Sequence, residues 1–218
     1  MTPPDKIIIW GAGGHAAVVA DLIRRSTRFQ LVGFVDDVNP TRKGENWCGA
    51  EILGGRMQLA ELQHFGVKHL VVAIGDNAAR MKSAAAAKEL GFTLVTVMSP
   101  SADVAAGTEI GAGSVIVSGA VVNPGVRLGE NVIINTSASV DHHCVISDGA
   151  HICPGVRLAG GVAVGAGVWV GIGAIVIDGI RIGAGAKIGA GAVVVRDIPE
   201  NALAYGVPAR IVRKLDGK

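Results

Sequence analysis

Aromatic residues are scarce in this chain. Of its 218 residues, 50% are apolar, yet only 4% are Phe, Trp or Tyr, and 32 are glycine. A core rich in Ala, Val, Ile and Gly but poor in rings suits thin, repeated layers better than an ordinary sandwich. A chain of this length can hold one large domain or two small ones.

Strong charge of either sign is also missing. The formal net charge is +2, and no basic run is interleaved with aromatic residues, so we expect no nucleic-acid partner. No apolar stretch approaches the roughly 18 residues of a membrane span, and the N-terminal residues lack the layout of a signal peptide. We therefore expect no membrane partner and a cytoplasmic location.

Cysteine is nearly absent as well. Cys48, Cys144 and Cys153 are odd in number and show no CxxC spacing. This favours reduced thiols in a cytoplasmic protein over a disulfide framework. We predict no resident metal.

The second half of the chain contains a repeat of six residues. Every sixth residue from position 104 to position 194 is aliphatic, and the residue four positions further on is small or β-branched. This period is neither 3.6 nor 2. It predicts a triangular coil with short flat faces, stacked by backbone hydrogen bonds. We expect Asn123, Asn135 and the glycines directly after the aliphatic positions to supply the corner conformations: Gly111, Gly129, Gly165, Gly171, Gly183 and Gly189.

Residues 6–98 instead alternate predicted strands and helices, which is typical of a small parallel α/β domain. The first strand runs into a glycine loop, and the second ends at Asp36 and Asp37. Bare amides at a helix start can receive a diphosphate, and a carboxylate can bind a sugar hydroxyl. Because Ala16 interrupts the Gly-X-Gly-X-X-Gly pattern, a dehydrogenase is disfavoured. A tight turn without a ligand is the other interpretation.

The predicted organisation is an α/β domain over residues 1–98, a β-helix over 99–200 and a tail over 201–218. The candidate chemistry lies in the β-helix, where Asp141, His142 and His143 interrupt a segment of Ala, Gly and Val. Gly160 follows His142 by 18 residues, which is one coil, so its amide could face an oxyanion. Alternatively, the two histidines are solvated or packed between subunits.

Several motifs occur together: GAGGH at 11–15, Asp36-Asp37, AIGDN at 73–77, NTSASVDHHCVI at 135–146 and GVPAR at 206–210. With the repeat, they resemble the nucleotide-sugar N-acetyltransferases of the hexapeptide-repeat superfamily. That family includes bacillosamine-pathway and perosamine enzymes, with sialic acid O-acetyltransferases as cousins. The resemblance implies an α/β N-terminal domain followed by a left-handed parallel β-helix, and acetyl-CoA as co-substrate.

The resemblance also implies roles for single residues. His142 matches the catalytic base, and Asn135 supports the site. Acetyl-CoA contacts are implied for His151, Ile172 and Ala190. Nucleotide-sugar contacts are implied for Gly13, Gly14, His15, Asp36, Asp37 and Gly75.

One position departs from the family. The bacillosamine enzyme has a glutamate directly after its base, whereas this chain has His143. A carboxylate stabilises an imidazolium well and a second imidazole does so poorly. Either Asp141 takes that duty, or the base works without it.

The expected reaction is transfer of acetyl from acetyl-CoA to the 4-amino group of a nucleotide-linked 4-amino-4,6-dideoxy sugar, for surface glycan or lipopolysaccharide O-antigen biosynthesis. A GDP-perosamine-like acceptor is favoured over a UDP-bacillosamine precursor. Alternatives are a sugar O-acetyltransferase, a zinc enzyme like the γ-class carbonic anhydrases, and a non-catalytic solenoid. We expect a homotrimer, since such sites form between subunits and apolar residues occupy outward positions of the coil: Val115, Val117, Val121 and Ile133.

Overall fold

The computed structural model describes residues 4–26 and 28–215. Contacts divide the chain into two compact units, Met1–Pro100 and Ser101–Lys218. Within the described residues, no helix is long and apolar enough to cross a membrane.

The first unit is built on a six-stranded sheet in the order β3-β4-β2-β1-β5-β6. All its neighbours are parallel except β3 and β4. Its strands are β1 (Asp5–Trp10), β2 (Phe29–Val35), β3 (Asn46–Trp47), β4 (Ala50–Gly54), β5 (His69–Val72) and β6 (Thr93–Leu94). Its helices are α1 (Gly14–Arg25), α2 (Leu59–His64) and α3 (Asn77–Glu89), with 3₁₀ turns at Pro40–Arg42 and Arg56–Gln58. A two-residue strand, β7 (Val97–Met98), follows.

The central strand β1 explains the apolar run with which the first unit begins. Ile7, Ile8 and Ile9 are fully buried, as expected where both faces of a parallel sheet are covered. The strand predicted at 93–97 is interrupted and forms two short strands instead. The antiparallel pair β3 and β4 was not predicted from the sequence.

The second unit is a left-handed parallel β-helix, so the predicted fold class is confirmed. Every coil contributes three two-residue strands, and partners lie 18 residues apart, as Ile133 with His151. The strands are β8 (Asp103–Val104), β9 (Glu109–Ile110), β10 (Val115–Ile116), β11 (Val121–Val122), β12 (Arg127–Leu128), β13 (Ile133–Ile134), β14 (Ser139–Val140), β15 (Val145–Ile146), β16 (His151–Ile152), β17 (Arg157–Leu158), β18 (Ala163–Val164), β19 (Trp169–Val170), β20 (Ile175–Val176), β21 (Arg181–Ile182), β22 (Lys187–Ile188) and β23 (Val193–Val194).

Three faces result from this winding. The first face contains β10, β13, β16, β19 and β22, continued by β24 (Ala202–Tyr205) and β25 (Arg210–Lys214). The second contains β8, β11, β14, β17, β20 and β23, and the third contains β9, β12, β15, β18 and β21. The last pair, β24 and β25, is antiparallel.

The repeat positions fill the interior of the prism. Aliphatic side chains such as Val140 and Ile146 are buried, and so are the small residues four positions on, such as Ala138 and Cys144. Each large aliphatic side chain removed from water contributes roughly 1.5–3 kcal/mol. The coil is therefore stabilised layer by layer.

The prediction of which residues form the corners was wrong. Left-handed backbone occurs three residues after the aliphatic positions from Val104 to Ile188, as at Gly155 and Gly161 (φ 69° at both), and Asn123 and Asn135 do not adopt it. The glycines directly after the aliphatic residues are needed for space: a Cβ on Gly165 would lie 2.5 Å from Ala184 N in the next coil. Two sets of glycine thus serve two physical purposes, strain relief and close approach.

Three consecutive left-handed corners carry side chains instead of glycine. They are Asn131 (φ 53°), Ser137 (φ 54°) and His143 (φ 59°), and Asn201 (φ 51°) is a further exception. A residue with a Cβ pays roughly 1–2 kcal/mol for this conformation, and Asn and His tolerate it better than most. One turn of the coil therefore departs from the glycine pattern.

The apolar residues predicted to face outward are mostly buried within the chain. Val115, Val117 and Ile133 are at most 2% exposed, and Val121 is half-buried. The prediction that these side chains form the exposed apolar surface was therefore wrong. The exposed large apolar side chains of the coil are instead Ile172, Ile175 and Ile177.

Candidate active site

The first unit contains a pocket of about 580 Å³, within the size range of small-molecule sites. All six residues for which the resemblance implied nucleotide-sugar contacts line it: Gly13, Gly14, His15, Asp36, Asp37 and Gly75. Sequence reasoning missed other lining residues, namely Trp10, Val38, Arg56, Ile74, Lys82 and Ser83. The pocket thus joins the glycine loop, the acidic loop after β2 and the loop after β5.

The glycine loop leaves the N-terminus of α1 open toward this pocket. α1 starts at Gly14, and its N-cap residue Gly13 makes no side-chain cap hydrogen bond. The N–H groups at the start of a helix favour an anion. A Cβ on Gly13 or Gly14 would meet no atom within 4 Å, whereas a Cβ on Gly11 would lie 2.6 Å from Ala73 O. Gly11 therefore serves close packing, and the two later glycines border open space.

Both carboxylates of the acidic loop are engaged by the protein. Asp36 Oδ1 accepts from Val38 N at 2.9 Å, and Asp36 Oδ2 lies 3.6 Å from the Arg42 guanidinium. Asp37 accepts from Trp10 Nε1 at 3.1 Å and from Arg56 N at 2.6 Å. These carboxylates shape the pocket wall in addition to facing the pocket.

Arg42 connects the two loops on either side of the pocket. Its guanidinium donates to Ala12 O at 2.9 Å and to both carboxylate oxygens of Glu45 at 3.0 and 3.1 Å. The Arg42 hydrogen bonds hold the pKa of Glu45 below its usual range. The bidentate pair with Glu45 fixes the geometry of the guanidinium. Because Arg42 also donates to Ala12 O and lies 3.6 Å from Asp36 Oδ2, it links the glycine loop to the acidic loop.

Arg80 supports the third loop from inside α3. This side chain is fully buried and donates to Ile74 O at 2.9 Å and to Asn77 Oδ1 at 2.8 Å. Asp76 caps the same helix by accepting from Ala79 N at 2.8 Å. The loop before α3 is therefore held by charge-assisted hydrogen bonds. Neither Arg42 nor Arg80 belongs to a motif that the sequence made visible.

Two further cations face the pocket. Within residues 4–26 and 28–215, the side chains of Arg56 and Lys82 take part in no ion pair. Together with the open helix N-terminus, they give the pocket the donors and charge that suit a diphosphate.

In the second unit, the His142 ring lies against Gly160 of the next coil. A Cβ at position 160 would be 2.4 Å from His142 Cε1 and 2.7 Å from Nε2, so only glycine leaves room for the ring. The Gly160 N–H is not among the donors of the inter-coil backbone hydrogen bonds, whereas Gly161 N donates to His142 O at 2.8 Å.

Asp141 binds the backbone of His142. Its Oδ1 accepts from His142 N at 2.7 Å and from Asn123 Nδ2 at 2.8 Å. These two hydrogen bonds, the backbone one first, hold the pKa of Asp141 below its usual range. The hydrogen bonds of Asp141 Oδ1 thus go to the backbone of His142 and to Asn123 and not to the His142 ring.

The partner of the His142 ring is His143. The two Nδ1 atoms lie 3.0 Å apart, and the rings meet edge-on with centroids 5.2 Å apart. Neither of the alternatives drawn from the sequence included this contact.

Cys144 is next in the chain but points into the prism. Its Sγ donates to Ala159 O at 3.2 Å, and burial raises the pKa of the thiol. A buried, protonated thiol is a poor nucleophile. The site therefore offers an exposed imidazole pair and no activated thiol.

Of the remaining predicted residues, Asn135, Ile172 and Ala190 lie on another edge of the prism, and His151 lies on the first face beside that edge. Asn135 Nδ2 is 3.0 Å from His151 Nε2, and Asn135 Oδ1 accepts from Thr136 N at 2.8 Å. Ile172 and Ala190 are stacked along this edge, where Gly191 N donates to Ile172 O at 2.8 Å. This edge precedes the second face and the edge of His142 follows it, so one chain does not bring the two groups together.

Among the residues that the structure describes, no group of three or more His, Cys, Asp or Glu side chains could hold a metal ion.

The chain combines a coil of hexapeptide repeats with an α/β unit that contains a glycine-loop pocket. This combination is typical of hexapeptide-repeat enzymes. Residues 6–87 match the PglD N-terminal domain family. No curated protein sequence matches the chain significantly. The chain belongs to the sugar N-acetyltransferases of the hexapeptide-repeat family, which depend on acetyl-CoA.

Similar solved structures carry this assignment. PerB from Caulobacter crescentus, solved with CoA and GDP-perosamine, is 40% identical, with a TM-score of 0.91 over 95% of this chain and 97% of that one. The acetyltransferase domain of PglB from Neisseria gonorrhoeae, with acetyl coenzyme A, is 36% identical, with a TM-score of 0.89 over 96% and 100%. WeeI from Acinetobacter baumannii is 25% identical, with a TM-score of 0.82 over 94% and 99%.

Proposed function

We propose that the protein transfers the acetyl group of acetyl-CoA to the 4-amino group of a nucleotide-linked 4-amino-4,6-dideoxy sugar, with GDP-perosamine as the favoured acceptor. The observation that carries this proposal is the 40% identity, over nearly the whole chain, to an enzyme solved with CoA and GDP-perosamine. The three free cysteines suit a cytoplasmic enzyme, and we place the reaction in the biosynthesis of surface glycans.

The pocket of the first unit is the proposed nucleotide site. Its volume suits a nucleoside diphosphate. The amides of Gly14 and His15 at the start of α1, with Arg56 and Lys82, would receive the diphosphate. Asp36 and Asp37 border the same pocket. Their carboxylate oxygens already accept hydrogen bonds from the protein, and their remaining lone pairs would accept from ribose, base or sugar donors.

The edge that carries Ile172 and Ala190 fits acetyl-CoA. Ile172 is 55% exposed, and a Cβ on Gly173 or Gly191 would meet no atom within 4 Å. An apolar column beside open space suits the long, thin pantetheine arm. Acetyl-CoA supplies the thioester carbon that the amine attacks, and His151 and Asn135 lie at the same edge to position it.

His142 is the proposed general base. Its Nε2 takes a proton from the amine as the nitrogen bonds to the thioester carbon, and the proton then passes to the departing thiolate as the C–S bond breaks. An imidazole suits both transfers near neutral pH. The Gly160 N–H beside the ring would stabilise the developing oxyanion.

A homotrimer would complete the site. Because the His142 edge and the Ile172 edge border the same face of one prism, they can converge only if an edge of one protomer faces the other edge of its neighbour. The exposed Ile172, Ile175 and Ile177 supply apolar surface for such packing. A stable monomer in sedimentation at micromolar concentration would contradict the shared site.

The deciding experiment is acetyl-CoA turnover, followed by thiol release, on a panel of acceptors. GDP-, UDP- and dTDP-linked 4-amino-4,6-dideoxy sugars are compared with their 4-hydroxy counterparts and with sialic acid. We expect the highest kcat/KM with GDP-perosamine and none with hydroxyl acceptors. Turnover only on hydroxyl acceptors would establish O-acetylation, and no turnover on any sugar would overturn the proposal.

A further inference from the structure

We propose that His143 is a positioning residue that fixes the tautomer of His142: it accepts the Nδ1–H of His142 and so keeps the lone pair of His142 on Nε2, where the substrate proton arrives. This inference rests on the proposed role of His142 as general base.

The distance between the two rings requires one donor and one acceptor. With Nδ1 atoms 3.0 Å apart, one nitrogen carries a hydrogen and the other presents its lone pair. If His143 donated, His142 would carry its own hydrogen on Nε2 and could not take a proton there. Only the arrangement in which His142 donates gives a base, because the hydrogen bond at one ring nitrogen sets the state of the other.

Among the described residues, the hydrogen bond of the His142 ring is made with His143. Asp141 Oδ1 is bound to His142 N and Asn123 Nδ2, and the Gly160 side of the ring faces a glycine without a side chain. The rest of the ring is exposed. The His143 imidazole is thus the one side-chain partner of the His142 ring among the described residues.

The backbone is built to keep this pair together. His143 occupies a left-handed corner (φ 59°), a position where most coils use glycine. In the preceding coil, a Cβ on Gly125 would lie 3.0 Å from His143 Cδ2. Gly160 makes room for the first ring and Gly125 for the second, so two glycines in two neighbouring coils accommodate the two imidazoles. Retained strain beside a reactive group is common at functional sites.

The same hydrogen bond serves the protonated state. When His142 takes the amine proton on Nε2, its ring becomes an imidazolium that still donates through Nδ1 to His143. A hydrogen bond from a charged donor is stronger than a neutral one. No proton needs to pass to His143, and the neutral pair returns when the thiolate takes the proton.

Two substitutions separate this role from a structural one. His143→Gly removes the acceptor while installing the residue that other corners use, so the fold is preserved. We expect kcat to fall roughly 10–100-fold, the loss usual for the orienting partners of metal-ligating histidines, with both KM values unchanged. His143→Asn tolerates the left-handed corner and offers an amide oxygen near the position of Nδ1. It should restore most of kcat.

Imidazole ¹⁵N NMR gives a readout that does not depend on turnover. The wild-type protein should show His142 protonated on Nδ1, and His143→Gly should lose this preference. Ser137→Gly is the matched control: it relieves another left-handed corner of the same turn without touching the His142 ring. Because both substitutions relieve a left-handed corner, Ser137→Gly and His143→Gly should each raise Tm, but Ser137→Gly should leave the tautomer unchanged.

The outcomes distinguish this inference from the proposed function. Full kcat in His143→Gly, an equal loss in His143→Asn, or a wild-type His142 protonated on Nε2 would each overturn the tautomer role. If His142→Ala itself kept its activity, the base assignment would fail, whatever the result at His143.

Discussion

The two units hold their candidate sites in opposite ways. In the first unit, single side chains such as Arg42 and Arg80 reach across to backbone carbonyls and hold irregular loops around a pocket. In the second, a repeating backbone ladder holds every corner, as where Gly161 N donates to His142 O. In the coil, the candidate site can therefore be recognised where the sequence departs from the repeat. The first unit has no repeat, so its site cannot be recognised in this way.

This difference explains why the same residue type has different meanings in the two units. Gly13 and Gly14 border open pocket space, whereas Gly160 and Gly165 are in close contact with the neighbouring coil. In the coil a substitution acts on a neighbour whose identity follows from the spacing. In the first unit, a substitution at Gly13 or Gly14 acts on the ligand that binds in the pocket.

The largest effect is expected at His142. His142→Ala should lower kcat roughly 10²–10⁴-fold, the usual value of a positioned acid–base group, and leave both substrates bound. Steady-state kinetics measures kcat, and isothermal titration measures the binding of CoA and of the nucleotide sugar. Similar modest losses in His142→Ala and His143→Ala, with weaker oligomers in sedimentation, would indicate packing histidines instead.

Gly160 and Gly161 form a matched pair. A methyl at position 160 would lie 2.4 Å from His142 Cε1, so Gly160→Ala should move the ring and lower kcat roughly 10²-fold, as ångström displacements do. At position 161 (φ 69°) a Cβ would meet nothing within 4 Å. Gly161→Ala should cost roughly 1–2 kcal/mol of stability and change kcat little. A reversal of this pattern in thermal melts and kinetics would contradict the assigned packing.

The pocket is tested at Gly14. Because a Cβ there meets no protein atom within 4 Å, the side chain of Gly14→Val should occupy ligand space without disturbing the fold. KM for the nucleotide sugar should rise roughly tenfold or more, a loss of about 1.4 kcal/mol or more, with Gly14→Ala in between. The KM for acetyl-CoA should not change. An equal rise for both substrates would show that the two ligands do not occupy separate units.

The smallest effect concerns acid stability. The folded-state pKa of Asp141 lies below its ordinary 3.8, so its carboxylate stabilises the fold above that pH, and the stabilisation is lost as the pH falls through the folded value. Asp141→Asn should therefore lower Tm slightly at pH 7, and the difference from wild type should shrink below about pH 4. A Tm difference that does not change with pH would show that the charge of the Asp141 carboxylate does not contribute to the stability of the fold.

The sequence predicted the regular part of the molecule well. The period of six at aliphatic positions such as Val140 and Ile146 specified the prism and its 18-residue register, because one side chain in six must fill the interior. The glycine loop and Asp36 likewise indicated a pocket at the carboxyl edge of the sheet. Both inferences rest on patterns that recur or that lie close together in the chain.

What the sequence did not show depends on contacts between distant residues. Strand β3 has only two residues and is held by its pairing with β4, so it has no periodicity of its own. Arg42 and Arg80 act on backbone carbonyls, which leave no trace in residue types. Glycine occurs both one and three residues after the aliphatic positions, and composition cannot separate crowding from left-handed backbone.

The corner ladder has a consequence for local unfolding. In a stack where each coil touches only its neighbours, opening begins at the ends and moves inward one coil at a time. The coil of His142 has neighbours on both sides, since His143 N donates to Pro124 O and Gly161 N donates to His142 O. Its amides should exchange with solvent more slowly than those of the terminal coils. We therefore expect the His142–His143 pair to lie in the part of the coil that unfolds last.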